Sequence, residues 1–490
     1  MNLLSTLYGH SLSLLTDLYQ LTMAYGYWKS GAAEKQAVFN LFFRKNPFDG
    51  GFAISCGLEH VIDYLDRFRF DESDLDYLGN LTGNDDKPLF EEEFLEHLRE
   101  LKFSCDVDAI PEGTAVFPSE PLVRVIGPLI QCQLLETPLL NLINFQTLIA
   151  TKSARICMAT QGEPVLEFGL RRAQGIDGGL AASRAAYAGG CVGTSNVLAG
   201  KLFGIPIKGT HAHSWIMTFD DELEAFEAYA DAMPNNCVFL VDTYDTIEGV
   251  RKAVEVGRKL RERGFEMVGI RLDSGDLAGL SIEARKILDE AGFPNAGIVA
   301  SNDLDEHLVT ELKEQGAAID IWGIGTRLAT AFDQPALGGV YKLTAVRRPS
   351  EDWQYRVKLS NEPIKVSNPG IQQVRRFESE DGFLADVIFD TRQGIGDGCR
   401  MFELSDSSRQ MEIPAGTPFE DLLVPVLRKG ELVYEKPALS EIRLRTLAQL
   451  AKLPERTKLF KKASSYPVGL EEGFFSLKSK LIELAEGRTS

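Results

Sequence analysis

From about residue 160 the chain settles into a regular beat, and no other feature constrains its fold as much. Short apolar runs recur near Val165, Ile205, Val238, Met267, Ile298 and Ile319. Helix-like stretches separate the later runs, at Glu222–Ala232, Glu248–Arg263, Ser281–Ala291 and Glu306–Gln315. Apolar strand, loop, amphipathic helix and strand again is the pattern of a parallel sheet, whose strands are joined by crossover helices. Six such runs in one block predict a closed α/β barrel rather than an open sheet.

The flanks follow other rules. Helical patterns occur around Asp17–Ser30 and Leu58–Asp66, with an acidic one at Glu91–Leu101, and Ala37–Phe43 reads as a strand. Pro111–Pro128 alternates apolar and polar residues between prolines, as strands and turns do. The long apolar stretch Leu134–Met158 predicts one or two buried helices. Alternation returns from Gly339, in VYKLTAVRR, WQYRVKLS and LADVIFD, and the last 50 or so residues read as helical. The expected organisation is a mixed α+β domain over 1–135, an α/β barrel domain over 136–338, and a β-rich return with a C-terminal helical region over 339–490.

Charge and composition narrow the function. Lys+Arg number 52 against 71 Asp+Glu, a net charge of −19, which argues against a general nucleic-acid binder because phosphate backbones are held by basic surface. Any anionic ligand must be gripped locally, by Arg, Lys and backbone N–H groups. No apolar run approaches the roughly 18–20 residues that span a bilayer, so no membrane partner is expected. The first 28 residues carry no Lys or Arg, unlike a secretory or mitochondrial leader. Seven scattered cysteines without a CxxC pair read as free thiols of a reducing, cytoplasmic protein.

In a barrel, catalytic groups sit just beyond the C-terminal ends of the strands. There the sequence places Phe168-Gly169-Leu170-Arg171-Arg172, then Gly193-Thr194-Ser195, then Lys208-Gly209-Thr210-His211-Ala212-His213. Later strands lead into Arg271-Leu272-Asp273-Ser274-Gly275-Asp276 and Gly323-Ile324-Gly325-Thr326-Arg327. Each stretch has a plain structural explanation. Gly323 and Gly325 suit a tight turn, Arg171 and Arg172 suit surface ion pairs, and the DSGD run suits a helix N-cap. What favours chemistry is their coincidence at one face of one sheet. Glycines let backbone N–H groups approach an anion at a helix start, and carboxylates can hold a divalent metal that keeps several waters. A phosphorylated sugar with a metal fits this set.

Taken in order, LLTDLYQLTMAYGYW, FFRKNPFDGGFAISCGLE, EFGLRRAQGIDGG, GTHAHSW, RLDSGDL, and GIGT followed by LGGVYKL resemble the nicotinate phosphoribosyltransferase family over residues 14–370. The resemblance implies an irregular α/β barrel of the type II phosphoribosyltransferase kind beside a mixed domain. It also implies formation of nicotinate mononucleotide and pyrophosphate from nicotinate and 5-phosphoribosyl 1-pyrophosphate (PRPP) in NAD salvage. ATP hydrolysis would be coupled through a phosphohistidine, a ligase-class reaction, with Mg²⁺ as cofactor and ATP as co-substrate. A homodimer with shared active sites is implied as well.

By motif, His213 would be phosphorylated and Asp273 would lie near the ribose and metal. The metal ligands themselves are left unassigned. Phe168 would stack on the pyridine ring, and Tyr19 would reach it from the neighbouring subunit. Arg171 and Arg271 would contact nicotinate or PRPP, with Thr210 beside the substrate. Gly323, Gly325 and Thr326 would hold the 5-phosphate. Ser195 stands where the nicotinamide-using relatives carry Asp, which implies nicotinate as the base. His211 and Arg327 receive no role from the resemblance.

Nicotinamide- or quinolinate-using transferases are the nearest competing readings. A metal-dependent barrel hydrolase is a further one, because His211-x-His213 after a strand suits zinc, but His10, His60, His97 and His307 are poorly placed to complete the ligand set. A non-enzymatic scaffold on the same fold would give these elements no reason to stay together.

Overall fold

The computed structural model describes residues 7–360, 362 and 365–487. The chain forms two compact units, one of residues 1–148 with 336–490 and one of residues 149–335.

The second unit holds a six-stranded, all-parallel sheet. Its strands lie in the order Gly193–Thr194, Val165–Glu167, Ile321–Ile324, Gly297–Asn302, Gly269–Leu272, Val238–Leu240. Parallel strands buried on both faces need continuous apolar runs; Ile270, Leu272, Ile298, Ala300, Trp322 and Ile324 are accordingly fully buried. Ile207 adds a single parallel bridge to Thr194. Among the described residues no ladder joins that edge to Val238–Leu240, so the barrel is irregular and its backbone pairing stops short of the closure expected from the strand count. The cause is local. Beyond Ile207 the chain runs through Lys208-Gly209-Thr210 without forming a strand, and the His211 side chain meets the far edge instead, accepting the Leu240 N–H at Nε2 over 3.3 Å.

Four helices of this unit start on aspartate. Asp221, Asp245, Asp276 and Asp305 each accept backbone N–H groups of the first turn, satisfying donors that would otherwise be orphaned, at about 1 kcal/mol each. This divides the DSGD run: Asp276 is the cap, and Asp273 stands free of that duty at the strand end. Beneath the sheet Glu306 pairs with Lys152 and Arg155, each at 2.7 Å, and all three side chains are buried.

In the first unit a seven-stranded antiparallel sheet places Gln36–Phe43 between Val123–Pro128 and Gly339–Arg347. The chain beyond the barrel thus returns to pair with its own beginning. A second sheet of six strands is built from residues 372–471, and its strand Val468–Glu471 lies between two helices, Leu439–Lys452 and Glu472–Glu486. The C-terminal region read as wholly helical therefore contributes a strand as well. The stretch Leu134–Met158 falls in the single helix Glu136–Ala159, preceded by the short Leu129–Leu134. Among the described residues no helix is long and apolar enough to cross a membrane.

Candidate active site

Beyond the C-terminal ends of the parallel strands opens a cleft of about 520 Å³. The strand ends bring to its wall Phe168, Arg171 and Ser195 from one side, and Thr210, His213, Arg271 and Asp273 from the other. Gly323, Gly325 and Thr326 complete it. Tyr19 belongs to the first unit, exposed on helix Leu18–Lys29. Its neighbours Leu15, Leu18 and Met23 are exposed too.

Phe168 is fixed by its backbone and by a missing side chain. Its N–H donates to the Ile324 carbonyl at 2.8 Å, and its ring lies so close to Gly323 that a Cβ there would come within 2.6 Å of it. Glycine at 323 is a steric requirement of the ring's position. Gly325 then precedes the short helix Thr326–Ala329. Arg327, just beyond, pairs with Asp305 at 2.7 Å and lies over the Phe332 ring; it serves the wall from behind and does not line the cleft.

Two carboxylates that sequence reasoning missed organise this floor. Glu167, buried at the end of its strand, accepts hydrogen bonds from Gly169 N–H, from the Ser183 hydroxyl at 2.9 Å and from the Thr194 hydroxyl at 2.6 Å. Its carbonyl takes the Ser195 N–H at 3.0 Å. One residue thereby sets both the Phe168 and the Ser195 loops. A carboxylate with several such donors is stabilised where it is buried without a cation.

Asp242, at the end of Val238–Leu240, is the second. Its side chain is 1% exposed and its Oδ1 lies 3.2 Å from His213 Nε2. Its Oδ2 accepts the Asp273 N–H at 2.8 Å and the Ser274 hydroxyl at 2.6 Å. The strand-end rule that singled out the other loops applies equally to this one. Asp273 in turn accepts a hydrogen bond from the Ser301 hydroxyl.

Arg271 is a half-buried cation in the cleft wall. Its Nη2 donates to the His211 carbonyl at 2.9 Å, while Nε is buried with no hydrogen-bond partner among the described residues. Burial lowers its pKa, and Asp273 and Asp242 work in the opposite direction. Arg171 and Arg172, by contrast, are exposed on a single 3₁₀ turn. Among the described residues no three His, Cys, Asp or Glu side chains cluster as a metal cage. An ion bound mainly through substrate phosphates needs only one or two carboxylates, and Asp273 and Asp303 both line the cleft. The His211–His213 pair does not offer a zinc site in this arrangement, since His211 Nε2 accepts from Leu240 and His213 Nε2 faces Asp242.

Comparison with known proteins bears on the whole chain. Residues 14–144 match the nicotinate phosphoribosyltransferase N-terminal domain, 164–352 the nicotinate phosphoribosyltransferase family, and 371–478 its C-terminal domain. The nicotinate phosphoribosyltransferase of Bacillus subtilis is 45% identical over 487 residues, covering 98% of this chain and 96% of that one. The human protein of that name is 36% identical over 528 residues, covering 96% of each. The crystal structure of human nicotinic acid phosphoribosyltransferase superposes with a TM-score of 0.83 at 34% identity, over 95% of this chain and 99% of that one. A nicotinate-nucleotide pyrophosphorylase from Pyrococcus furiosus shares the fold, with a TM-score of 0.69 at 23% identity over 90% of this chain and 95% of that one. With three consecutive family matches and relatives of this identity along nearly its full length, the chain belongs to the nicotinate phosphoribosyltransferase family.

Proposed function

We propose that this protein joins nicotinate to the ribosyl group of PRPP, giving nicotinate mononucleotide and pyrophosphate, as a cytoplasmic step of NAD salvage. The observation that carries the reading is the convergence, in one cleft, of an aromatic ring, a half-buried arginine, a Gly-x-Gly-Thr turn and a strand-end aspartate. The pyridine nitrogen attacks ribose C1 as the C1–O bond to pyrophosphate breaks, so positive charge builds on the sugar and negative charge on the leaving group. Phe168 holds the base by stacking, and the turn at Gly323, Gly325 and Thr326 holds the 5-phosphate. Asp273 faces the developing sugar cation. Arg171 and Arg271 offset anionic charge, and Thr210 lies alongside. Mg²⁺, held by Asp273 and Asp303 with the substrate's phosphates, would neutralise the departing pyrophosphate. ATP hydrolysis drives the reaction through phosphorylation of His213.

The deciding experiment is nucleotide formation from nicotinate, nicotinamide and quinolinate, each with PRPP, with and without ATP. Turnover of nicotinate well above the other two, stimulated by ATP, is expected. Equal use of nicotinamide would overturn the choice of base, and indifference to ATP would overturn the coupling.

The active sites are shared across a homodimer in this proposal. Its support is the exposed apolar row of Leu15, Leu18, Tyr19 and Met23 on and before one helix, a surface that monomers seldom leave uncovered. Tyr19→Ala and Asp273→Ala proteins, each inactive, should regain activity when mixed and allowed to exchange subunits. A fully active monomer at assay concentration would refute the shared site.

A further inference from the structure

We propose that His211 is a positioning residue of this reaction, a neutral imidazole that bridges the unpaired seam of the barrel and holds Arg271 and the His213 loop in register. The inference rests on the function proposed above for Arg271 and His213, and its first test does not.

Leu240 ends the edge strand of the parallel sheet and is fully buried. Its N–H points across the seam, where no strand of the described residues pairs with it; a buried amide without a partner is costly. His211 Nε2 takes that bond. An amide can only donate, so Nε2 must be the bare nitrogen and the proton must sit on Nδ1. Nδ1 is itself buried and meets no partner in good hydrogen-bond geometry among the described residues. The ring is wedged edge-on against Tyr229, with centroids 4.7 Å apart, and lies near Phe226. Burial pulls the imidazole down to about 4 against the opposing pull of the Ala212 backbone, and the nearby charges of Arg271 and His213 act with burial. A protonated ring would set donor against donor at Leu240.

The same residue reaches the chemistry through its backbone. Its backbone carbonyl accepts Arg271 Nη2, and Asp242, two residues beyond Leu240, faces His213. One ring therefore ties the strand that carries Asp242 to the loop that carries His213, and its carbonyl aims the arginine. A purely structural histidine would leave Arg271 and His213 unaffected by loss of one nitrogen.

Nitrogen NMR of the histidine-labelled protein provides the first test. The His211 ring should show a protonated Nδ1 and a bare Nε2, unchanged down to about pH 5.5, one to two units above its folded value. A proton on Nε2 would overturn the proposal. The second test compares His211→Phe, which keeps the ring but loses the acceptor, with His211→Gln, whose amide oxygen can reach the Nε2 position. His211→Phe should lower kcat/KM for nicotinate by about 100-fold, the scale of a misplacement near 1 Å, and should lose ATP stimulation in parallel. His211→Gln should recover most of both. Wild-type kinetics in the Phe variant, or equal kinetics in the two variants, would overturn the proposal. If neither variant folds, the NMR result decides alone.

Discussion

Replacing His213 with alanine is expected to abolish ATP hydrolysis and all stimulation by ATP, while slow ATP-independent transfer persists. The expectation follows from which nitrogen is available. Asp242 is buried and faces Nε2, so an imidazole that donates to it from Nε2 would present the Nδ1 lone pair. In the proposed coupling, Nδ1 would attack the γ-phosphorus of ATP as the bond to the bridging oxygen breaks and ADP departs. The carboxylate of Asp242 would then stabilise the positive charge that the ring acquires, as the buried aspartate of a catalytic triad does. Its other oxygen accepts from the Asp273 N–H and the Ser274 hydroxyl, so the proposed phosphorylation site and the strand end that carries Asp273 share one carboxylate. Asp242→Asn keeps the shape and loses the charge, and should cut ATPase activity by on the order of 10²-fold or more. Labelling with γ-phosphate-labelled ATP, followed by peptide mapping, checks both variants. Label on His211, or ATP-stimulated synthesis by His213→Ala, would show the assignment to be wrong.

The barrel unit was legible because its signal is periodic. The apolar runs at Val238, Met267, Ile298 and Ile319 each fall in or just before a strand, and three of the four helix-like stretches match helices to within two residues, the fourth starting four residues early. The α/β barrel was read correctly from its strands, but a count of strands says nothing of which edges meet. The seam between Ile207 and Leu240 depends on a side chain, and periodicity does not report side-chain reach. The strand Val468–Glu471 was hidden for another reason. Four residues, one of them glycine, between two helices carry too little alternation to be read.

Within the cleft, the loops richest in glycine, arginine and histidine announced themselves by composition. Glu167 did not, because a glutamate ending the run Val165-Leu166 reads as an ordinary strand residue until Gly169, Ser183 and Thr194 are seen to converge on it. Asp242 was masked by its surroundings. The stretch Val241-Asp242-Thr243-Tyr244-Asp245 offers two aspartates to the following helix, and only the structure shows that Asp245 is the cap while Asp242 turns to His213. The bland reading of DSGD was correct for Asp276 and incomplete for Asp273. A single motif can supply both a helix cap and a cleft residue when the two carboxylates lie three positions apart.

Ser195→Asp is expected to reduce kcat/KM for nicotinate by about 100-fold or more and to admit some nicotinamide. Nicotinate carries a carboxylate where nicotinamide carries a neutral amide, so the pocket must sort the bases by charge at one ring position. Ser195 lines the same cleft as Phe168 and Arg271, and its backbone is held in place by the Glu167 carbonyl. A serine hydroxyl can donate to a carboxylate, and Arg271 can add a charge-assisted bond worth about 1.5–3 kcal/mol. An aspartate at 195 would set like charges against each other, at a cost on the order of several kcal/mol; about 2.7 kcal/mol already corresponds to 100-fold. The same carboxylate would accept from the amide N–H of nicotinamide and so favour the wrong base. Ser195→Ala separates the two effects, since it removes the donor without adding charge, and should cost about tenfold. Steady-state kinetics of wild type and both variants on the two bases measure the discrimination directly. If Ser195→Asp retains wild-type nicotinate turnover, Ser195 is only a small loop residue and charge selection lies with the arginines.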